Sequence, residues 1–415
     1  MTQKQLIPAD INLWDKDRFV DGVPHDWFTR LRAEAPVAWH EGDPDFHGSQ
    51  GGADPFWCVT GYDDVVAVNR DFESYSSARG LVYMWDPDEA SLEQQRLLML
   101  TMDPPMHTRY RRLINKGFTP RMVGELESTM RKRTTDIVDG IVDRGECDFV
   151  VDVAAELPLQ VIADLMGVPQ DDRHRLFDWS NRMIGAEDPE YGVTEEMAQQ
   201  ASMELFAYAA ELAAKKRADP KDDLISVLSH SQVEGEQLTE LEIDLFFLLL
   251  TVAGNETTRN LISHGMVALL EHPDQLARLR ADRSLLPTAV EEMLRWASPV
   301  MHFRRTATRD LELGGQQIKE GDKVVIWYVS ANRDEKQFPD PFTFDVGRTP
   351  NEHVAFGGSG PHFCLGANLA RSEINIMFEE VLDRLDDIEF AGPVRRLRSN
   401  FINGIKHVPV TFTAK

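Results

Sequence analysis

The stretch from Thr239 to about Glu271 constrains the fold more than any other part of the chain. Thr239-Glu240-Leu241-Glu242 fits a capping box, in which the threonine hydroxyl and the glutamate carboxylate each satisfy a backbone N–H that the first turn of a helix leaves unpaired. Apolar residues then recur at helical spacing, which predicts one helix of roughly 33 residues and ~50 Å at 1.5 Å per residue. A helix of that length crosses a whole domain, so the remaining elements must be arranged around it. Its middle reads Ala253-Gly254-Asn255-Glu256-Thr257-Thr258, an awkward composition for a buried helix. Glycine lowers helix stability and threonine hydroxyls compete for backbone carbonyls, so a local kink is expected there; a glycine packing notch beside a fortuitous polar stretch is the alternative.

Helical spacing dominates from about Arg109 to Glu292, as in GELESTMRKRTTDIVDGIVDRG and LPLQVIADLMG. Strand signals are short. FWCVT at 56–60 is one; LEL, QQI after Gly314-Gly315, and KVVIWYV at 323–329 together read as a small sheet. Phe401-Ile402-Asn403-Gly404-Ile405 reads as a hairpin, because Asn-Gly readily supplies the two positive φ angles of a type I′ turn. The expected class is mainly α, a large helical domain with small β subdomains. A chain of 415 residues would ordinarily split into two domains. No Pro-, Gly- or Ser-rich linker marks a split, so residues 1–415 are expected to form one domain built around a cofactor.

Charge and cysteine usage exclude several function classes. With 44 Lys and Arg against 69 Asp and Glu, the formal charge is −25, which argues against a nucleic-acid partner. Cys58, Cys147 and Cys364 are too few and too scattered for a disulfide framework or zinc cluster, which favours a reducing, cytoplasmic location. The N-terminus lacks an apolar core of signal-peptide length, and the longest apolar run, around Phe246 to Gly254, is too short to span a bilayer. No membrane anchor is expected.

The segment Phe356-Gly357-Gly358-Ser359-Gly360-Pro361-His362-Phe363-Cys364-Leu365-Gly366 carries the most chemistry. Four glycines surround one cysteine, and a helical pattern, ANLARSEINIMFEEVLDRL, follows. Such a loop lets its backbone approach something closely before feeding a helix N-terminus, where N–H groups and the helix dipole stabilise a thiolate. A lone cysteine is otherwise more often a buried, inert thiol.

This loop resembles the haem-binding loop of cytochromes P450, with Gly360 four residues before Cys364, a basic residue, His362, two before, and Gly366 two after. The resemblance implies the cytochrome P450 fold, haem b (iron protoporphyrin IX) as cofactor, and Cys364 as the thiolate ligand of the metal, whose electron donation favours O–O cleavage. Phe356 lies eight residues before Cys364, where seven is usual in the family. Gly357 therefore occupies the expected aromatic position, a spacing similar to that of an actinobacterial branch.

Three shorter motifs follow the family's order. Glu292-Met293-Leu294-Arg295 places an acid and a base one turn apart, and the family pattern adds Arg348 as a third member of a buried lock behind the haem loop. Ala253 to Thr257 matches the oxygen-binding stretch: Gly254 as the point where the helix opens to oxygen, Glu256 and Thr257 as the pair that delivers protons while bulk water stays out. In Asp103-Pro104-Pro105-Met106-His107-Thr108-Arg109-Tyr110-Arg111, His107 and Arg111 sit on one helix face; with Arg305 and His362 they match the donors for the haem propionates.

Closer likeness in VAGNETTRN, AVEEMLRWASPV, GDKVVIWYVSANRDE and RLRSNFINGIKHVPV resembles actinobacterial enzymes that hydroxylate the terminal carbon of steroid side chains and methyl-branched lipids. The implied function is insertion of one atom of O2 into an unactivated C–H bond of an apolar small molecule. By position in the family pattern, Phe246, Leu250, Val300, Met301, Phe303, Phe401 and Ile402 are the expected substrate contacts, although such residues are more often core. Electrons are expected from a ferredoxin and ferredoxin reductase, docking near the basic cluster Arg109, Arg112 and Lys116. A smaller terpenoid substrate is an alternative. A peroxide-driven haem enzyme or a non-catalytic haem or lipid carrier would have less need of the Glu256-Thr257 pair.

Overall fold

The structure, a computed structural model, describes residues 4–48, 51–86, 89–118, 120–185, 188–233 and 235–415. Its axis is the helix Glu240–Glu271, 32 residues long, and both halves of the capping box are present: Thr239 Oγ1 accepts from Glu242 N, and the Glu242 carboxylate accepts from Thr239 N at 2.7 Å. From Leu261 to Leu269 every residue is buried, as expected of a helix that is apolar nearly all round and packed on every side. The helices Glu156–Met166, Glu195–Ala218, Leu286–Ala297 and Ala367–Arg384 pack against it. The helix is continuous through 253–258. At Gly254 an added Cβ would lie 2.8 Å from Ile162 Cδ1, so the glycine serves as a packing notch for the helix Glu156–Met166.

One five-stranded sheet flanks this helical body. We label its strands in chain order β1 (Val37–His40), β2 (Phe56–Val59), β3 (Tyr75–Ser76), β4 (His302–Ala307) and β5 (Lys323–Trp327); in space they run β1-β2-β5-β4-β3. β5 pairs parallel to β2 and antiparallel to β4, and all five of its residues are buried, which explains why KVVIW reads as a continuous apolar run rather than an alternating one.

Two strand expectations are corrected. Leu311–Leu313 and Gln316–Ile318 form their own two-stranded hairpin and do not join β5. Asn403-Gly404 is not a type I′ turn, since neither residue has a positive φ. Asn403 is instead held by tertiary partners: its N–H donates to Pro299 O at 2.9 Å and its side-chain amide to Ala297 O at 2.5 Å. Gly404 is required for close approach, because a Cβ there would lie 2.7 Å from Leu397 Cβ. The effect is to lay Phe401 and Ile402 against the chain entering β4, with Ile402 bridged to Val300 and Met301 N donating to Phe401 O at 2.9 Å. Among the described residues no helix is long and apolar enough to cross a membrane.

Candidate active site

The cysteine loop folds as its glycines dictate. Gly357, Gly358 and Gly360 have φ of +87°, +63° and +123°, and a side chain at Gly360 would collide with the Asn69 backbone. The loop closes on itself through Cys364 N, which donates to Phe356 O at 2.9 Å. Gly366 then caps the helix Ala367–Arg384. Burial raises the Cys364 thiol pKa; the Gly366 N–H, Arg111 and Arg371 oppose this by favouring the thiolate. The side chain of Phe356 lies under the Arg371 guanidinium, 4.7 Å from its ring centre. Arg371 in turn is paired with Glu291 at 2.6 and 2.8 Å, and Glu291 also contacts His353 at 3.2 Å. Arg371 and Glu291 carry no signal in the local sequence, because their roles depend on the helix Leu286–Ala297 lying beside the loop.

The four residues matched to the propionates converge. The rings of His107 and His362 are 4.2 Å apart, and Arg111 donates to Pro361 O at 3.0 Å. Among the described residues, Arg305, buried on β4, has the carbonyl of Arg304 as its one hydrogen-bond acceptor, at 2.9 Å. Burial, reinforced by mutual repulsion, lowers the pKa of His362 well below its usual value and that of His107 to about 4; burial also lowers Arg305 and Arg111. Among the described residues His107 Nδ1 is buried with no hydrogen-bond partner. The nearby acid, Asp103, is already engaged by Ser76 Oγ and Ser77 N. This is a buried group of cations and imidazoles short of anions, beside a thiol with N–H and guanidinium support, and it fits the carboxylates and iron of haem.

On the central helix, Ala253 is exposed and Thr257 half-buried in a run that is otherwise largely buried, so this face borders open space. Thr257 Oγ1 donates to Ala253 O at 2.8 Å. Glu256 points elsewhere. It is 1% exposed, one carboxylate oxygen pairs with Arg259, which also reaches Asn181 Oδ1 at 3.1 Å, and the other oxygen has no hydrogen-bond partner among the described residues. Burial raises the Glu256 pKa against the opposing pull of Arg259. Sequence spacing therefore places Glu256 and Thr257 side by side, whereas their side chains have separate surroundings.

Behind the loop, Arg295 and Glu292 form a fork-to-fork pair, both contacts 2.7 Å and both side chains fully buried. Arg348 Nε reaches the same carboxylate at 3.2 Å and Asn351 Nδ2 at 3.1 Å. Asn351 was not anticipated from the sequence.

Of the expected substrate contacts, Val300, Phe303 and Phe401 are half-buried and adjoining, with Phe303 and Phe401 rings 5.8 Å apart and Ile402 buried behind them. Phe246 and Leu250 are buried in the helical core, Phe246 against Tyr110 at 5.6 Å. Met301 is set apart: it is 1% exposed and belongs to a separate cluster with Trp14, Phe28 and Trp327, because its turn of the chain faces the N-terminal segment. Two aromatic residues that sequence reading missed, Tyr83 and Trp85, stack at 5.1 Å, and Tyr83 meets Phe401 edge-on at 5.2 Å. VYMW carries no polar alternation to betray which residues face inward. Arg109 and Arg112 lie on the helix Met106–Ile114; the side chain of Lys116 lies outside the described residues.

A sequence model of the family described as Cytochrome P450 matches residues 159–387. The chain is 45% identical to a steroid C26-monooxygenase of Mycobacterium tuberculosis, over 99% of this chain and 94% of that protein. It is 43% identical to a methyl-branched lipid omega-hydroxylase of the same species, over 98% of this chain and 95% of that one. Its structure superposes on a Mycobacterium marinum cytochrome P450 in complex with pseudoionone with a TM-score of 0.92 at 40% identity, covering 99% of this chain and all of that one.

Proposed function

The chain belongs to the cytochrome P450 family and is a haem-thiolate monooxygenase, and from that premise we propose that it hydroxylates a terminal methyl group of a steroid side chain or a methyl-branched lipid. The observation that carries the reading is the near-complete coverage by relatives of both kinds. The proposed cofactor is haem b; Cys364 would hold its iron as the thiolate, and His107, Arg111, Arg305 and His362 would hold its propionates. Bound haem supplies the activation of O2; the chain supplies position, dryness and protons. Gly357 and Gly360 give the loop its positive-φ turns and Gly366 caps the helix that follows, a backbone that would allow close approach of the ring, and Phe356, held by Arg371, would screen the thiolate side. Thr257 presents its hydroxyl on the open face of the central helix, next to Gly254, and Glu256 is the buried acid behind it. Electrons come from a ferredoxin and its reductase, with Arg109 and Arg112 as the docking cations.

Terminal attack runs against bond strength, since internal C–H bonds are weaker. Selectivity therefore rests on geometry that admits only the end of the substrate to the iron. Burial at roughly 0.8 kcal/mol per CH₂ gives micromolar affinity to a sterol or long branched chain with no specific hydrogen bond. Incubation of the holoenzyme with cholest-4-en-3-one and with a methyl-branched fatty acid, followed by product analysis, is expected to yield terminal alcohols. Internal hydroxylation of both, or binding of neither, refutes the proposal, and turnover of a small terpenoid in their place would favour that alternative.

The proton role has its own test. In Thr257→Ala, substrate binding is expected to stay near wild type while product per electron consumed falls about tenfold and peroxide takes up the difference. Thr257→Ser should retain most of the coupling. Wild-type coupling in the alanine variant would remove Thr257 from the mechanism.

A further inference from the structure

β4 carries two adjacent arginines, and a strand turns neighbouring side chains to opposite faces. Arg305 faces the His107–His362 group; Arg304 faces the other way and pairs with Asp86. Lys323, opposite Thr306 on β5, reaches the same carboxylate at 2.7 Å and Asp54 at 2.6 Å. Arg304 and Lys323 are 4% and 9% exposed; Asp86 is the carboxylate paired with Arg304, and it shares Lys323 with Asp54. The backbone is held at the same place, with Arg304 N donating to Val82 O at 2.7 Å. Residues 81–86 are thereby pinned to the sheet. Burial alternates along the pinned segment: Val82 and Met84 are buried, Tyr83 and Trp85 half-buried.

The rings that remain half-buried form a series leading away from the cofactor edge. The Arg305 guanidinium is 6.0 Å from the Phe303 ring, Phe303 is 5.8 Å from Phe401, Phe401 is 5.2 Å from Tyr83, and Tyr83 is 5.1 Å from Trp85. Tyr83 and Trp85 are nearly parallel, at 4°. A substrate whose body lay along this series would meet Tyr83 and Trp85 at the end remote from Arg305. Rigid aromatic faces gain most from a rigid, flat body, which loses no chain entropy on contact, and least from a flexible acyl chain.

We propose that Tyr83 and Trp85 select a fused-ring body at the far end of the substrate, and that Asp86 is the positioning residue that holds them there through Arg304 and Lys323. The inference rests on the terminal-hydroxylation reading above and deepens it toward sterols. The test is spectral titration of the holoenzyme with cholest-4-en-3-one and with 15-methylhexadecanoic acid. In Tyr83→Ala, the sterol Kd is expected to rise about tenfold and that of the fatty acid less than about threefold, as loss of one aromatic contact implies. Asp86→Asn should reproduce that pattern and Asp86→Glu should restore it, which a merely structural role of Asp86 would not do. Because Tyr83 is half-buried, its alanine variant tests the selection even if Asp86→Asn fails to fold. Equal losses for both ligands, or none, in Tyr83→Ala overturn the inference alone; wild-type protein that binds neither ligand overturns the function reading and this inference with it.

Discussion

Cys364→Ser is expected to abolish monooxygenation and the thiolate-type red shift of the reduced carbon monoxide complex, while the fold survives. The loop that carries Cys364 is shaped by its own backbone: three positive-φ glycines and the Cys364 N to Phe356 O hydrogen bond are independent of the sulfur. What the sulfur contributes is charge. The Gly366 N–H, Arg111 and Arg371 are arranged to favour a thiolate that burial alone would disfavour, and serine, with a far higher pKa, cannot supply an anion there. The variant should therefore give a wild-type far-ultraviolet circular dichroism spectrum, and any haem it retains should carry an altered spectrum. An unchanged carbon monoxide difference spectrum in Cys364→Ser would remove the cysteine from iron ligation.

The second large effect is on stability. Glu292→Ala leaves the fully buried Arg295 and the mostly buried Arg348 facing no carboxylate, with Asn351 and the Asp345 N–H also losing their acceptor. Breaking a buried pair by removing one partner costs about 3–5 kcal/mol, a large share of the 5–15 kcal/mol typical of a folded protein. The variant is expected to express poorly, melt well below wild type and fail to retain haem. An exposed pair is the contrast: Lys132–Asp136, at 2.7 Å and also one turn apart on a helix, has both side chains more than half exposed, so Asp136→Ala should cost no more than about 0.5 kcal/mol. Thermal unfolding of the two variants side by side checks both numbers. A Glu292→Ala protein that melts with wild type would mean that the carbonyls already accepting from the two arginines, those of Asn332 and Pro341 for Arg295 and of Pro339 and Thr343 for Arg348, suffice without the carboxylate.

What the sequence by itself determined is what neighbouring residues decide among themselves. The start of the central helix lies in four residues, Thr239 to Glu242, and the form of the cysteine loop in glycines a few positions from Cys364, so both were legible as soon as their spacing was read. The class, mainly helical with small sheets, followed from the same local periodicity. Roles such as the Arg348 link to Glu292 came only with the family resemblance, since 56 residues separate the two and no local rule joins them. Tertiary structure alone decided the rest. No strand signal marks β4, because its adjacent arginines interrupt the apolar pattern, yet each is buried toward partners far away in the chain, one near His107 and His362, the other at Asp86. Asn403-Gly404 looked like a turn because its local preference was read without Ala297, Pro299 and Leu397, whose hydrogen bonds and close approach outweigh it. Gly254 was compatible with either a kink or a packing notch, and only the side chain of Ile162 decides for the notch. Met301 and the pair Tyr83 and Trp85 exchanged places as core and open surface for the same reason: an apolar residue is compatible with either, and only the packing of distant segments settles which side of the chain is covered.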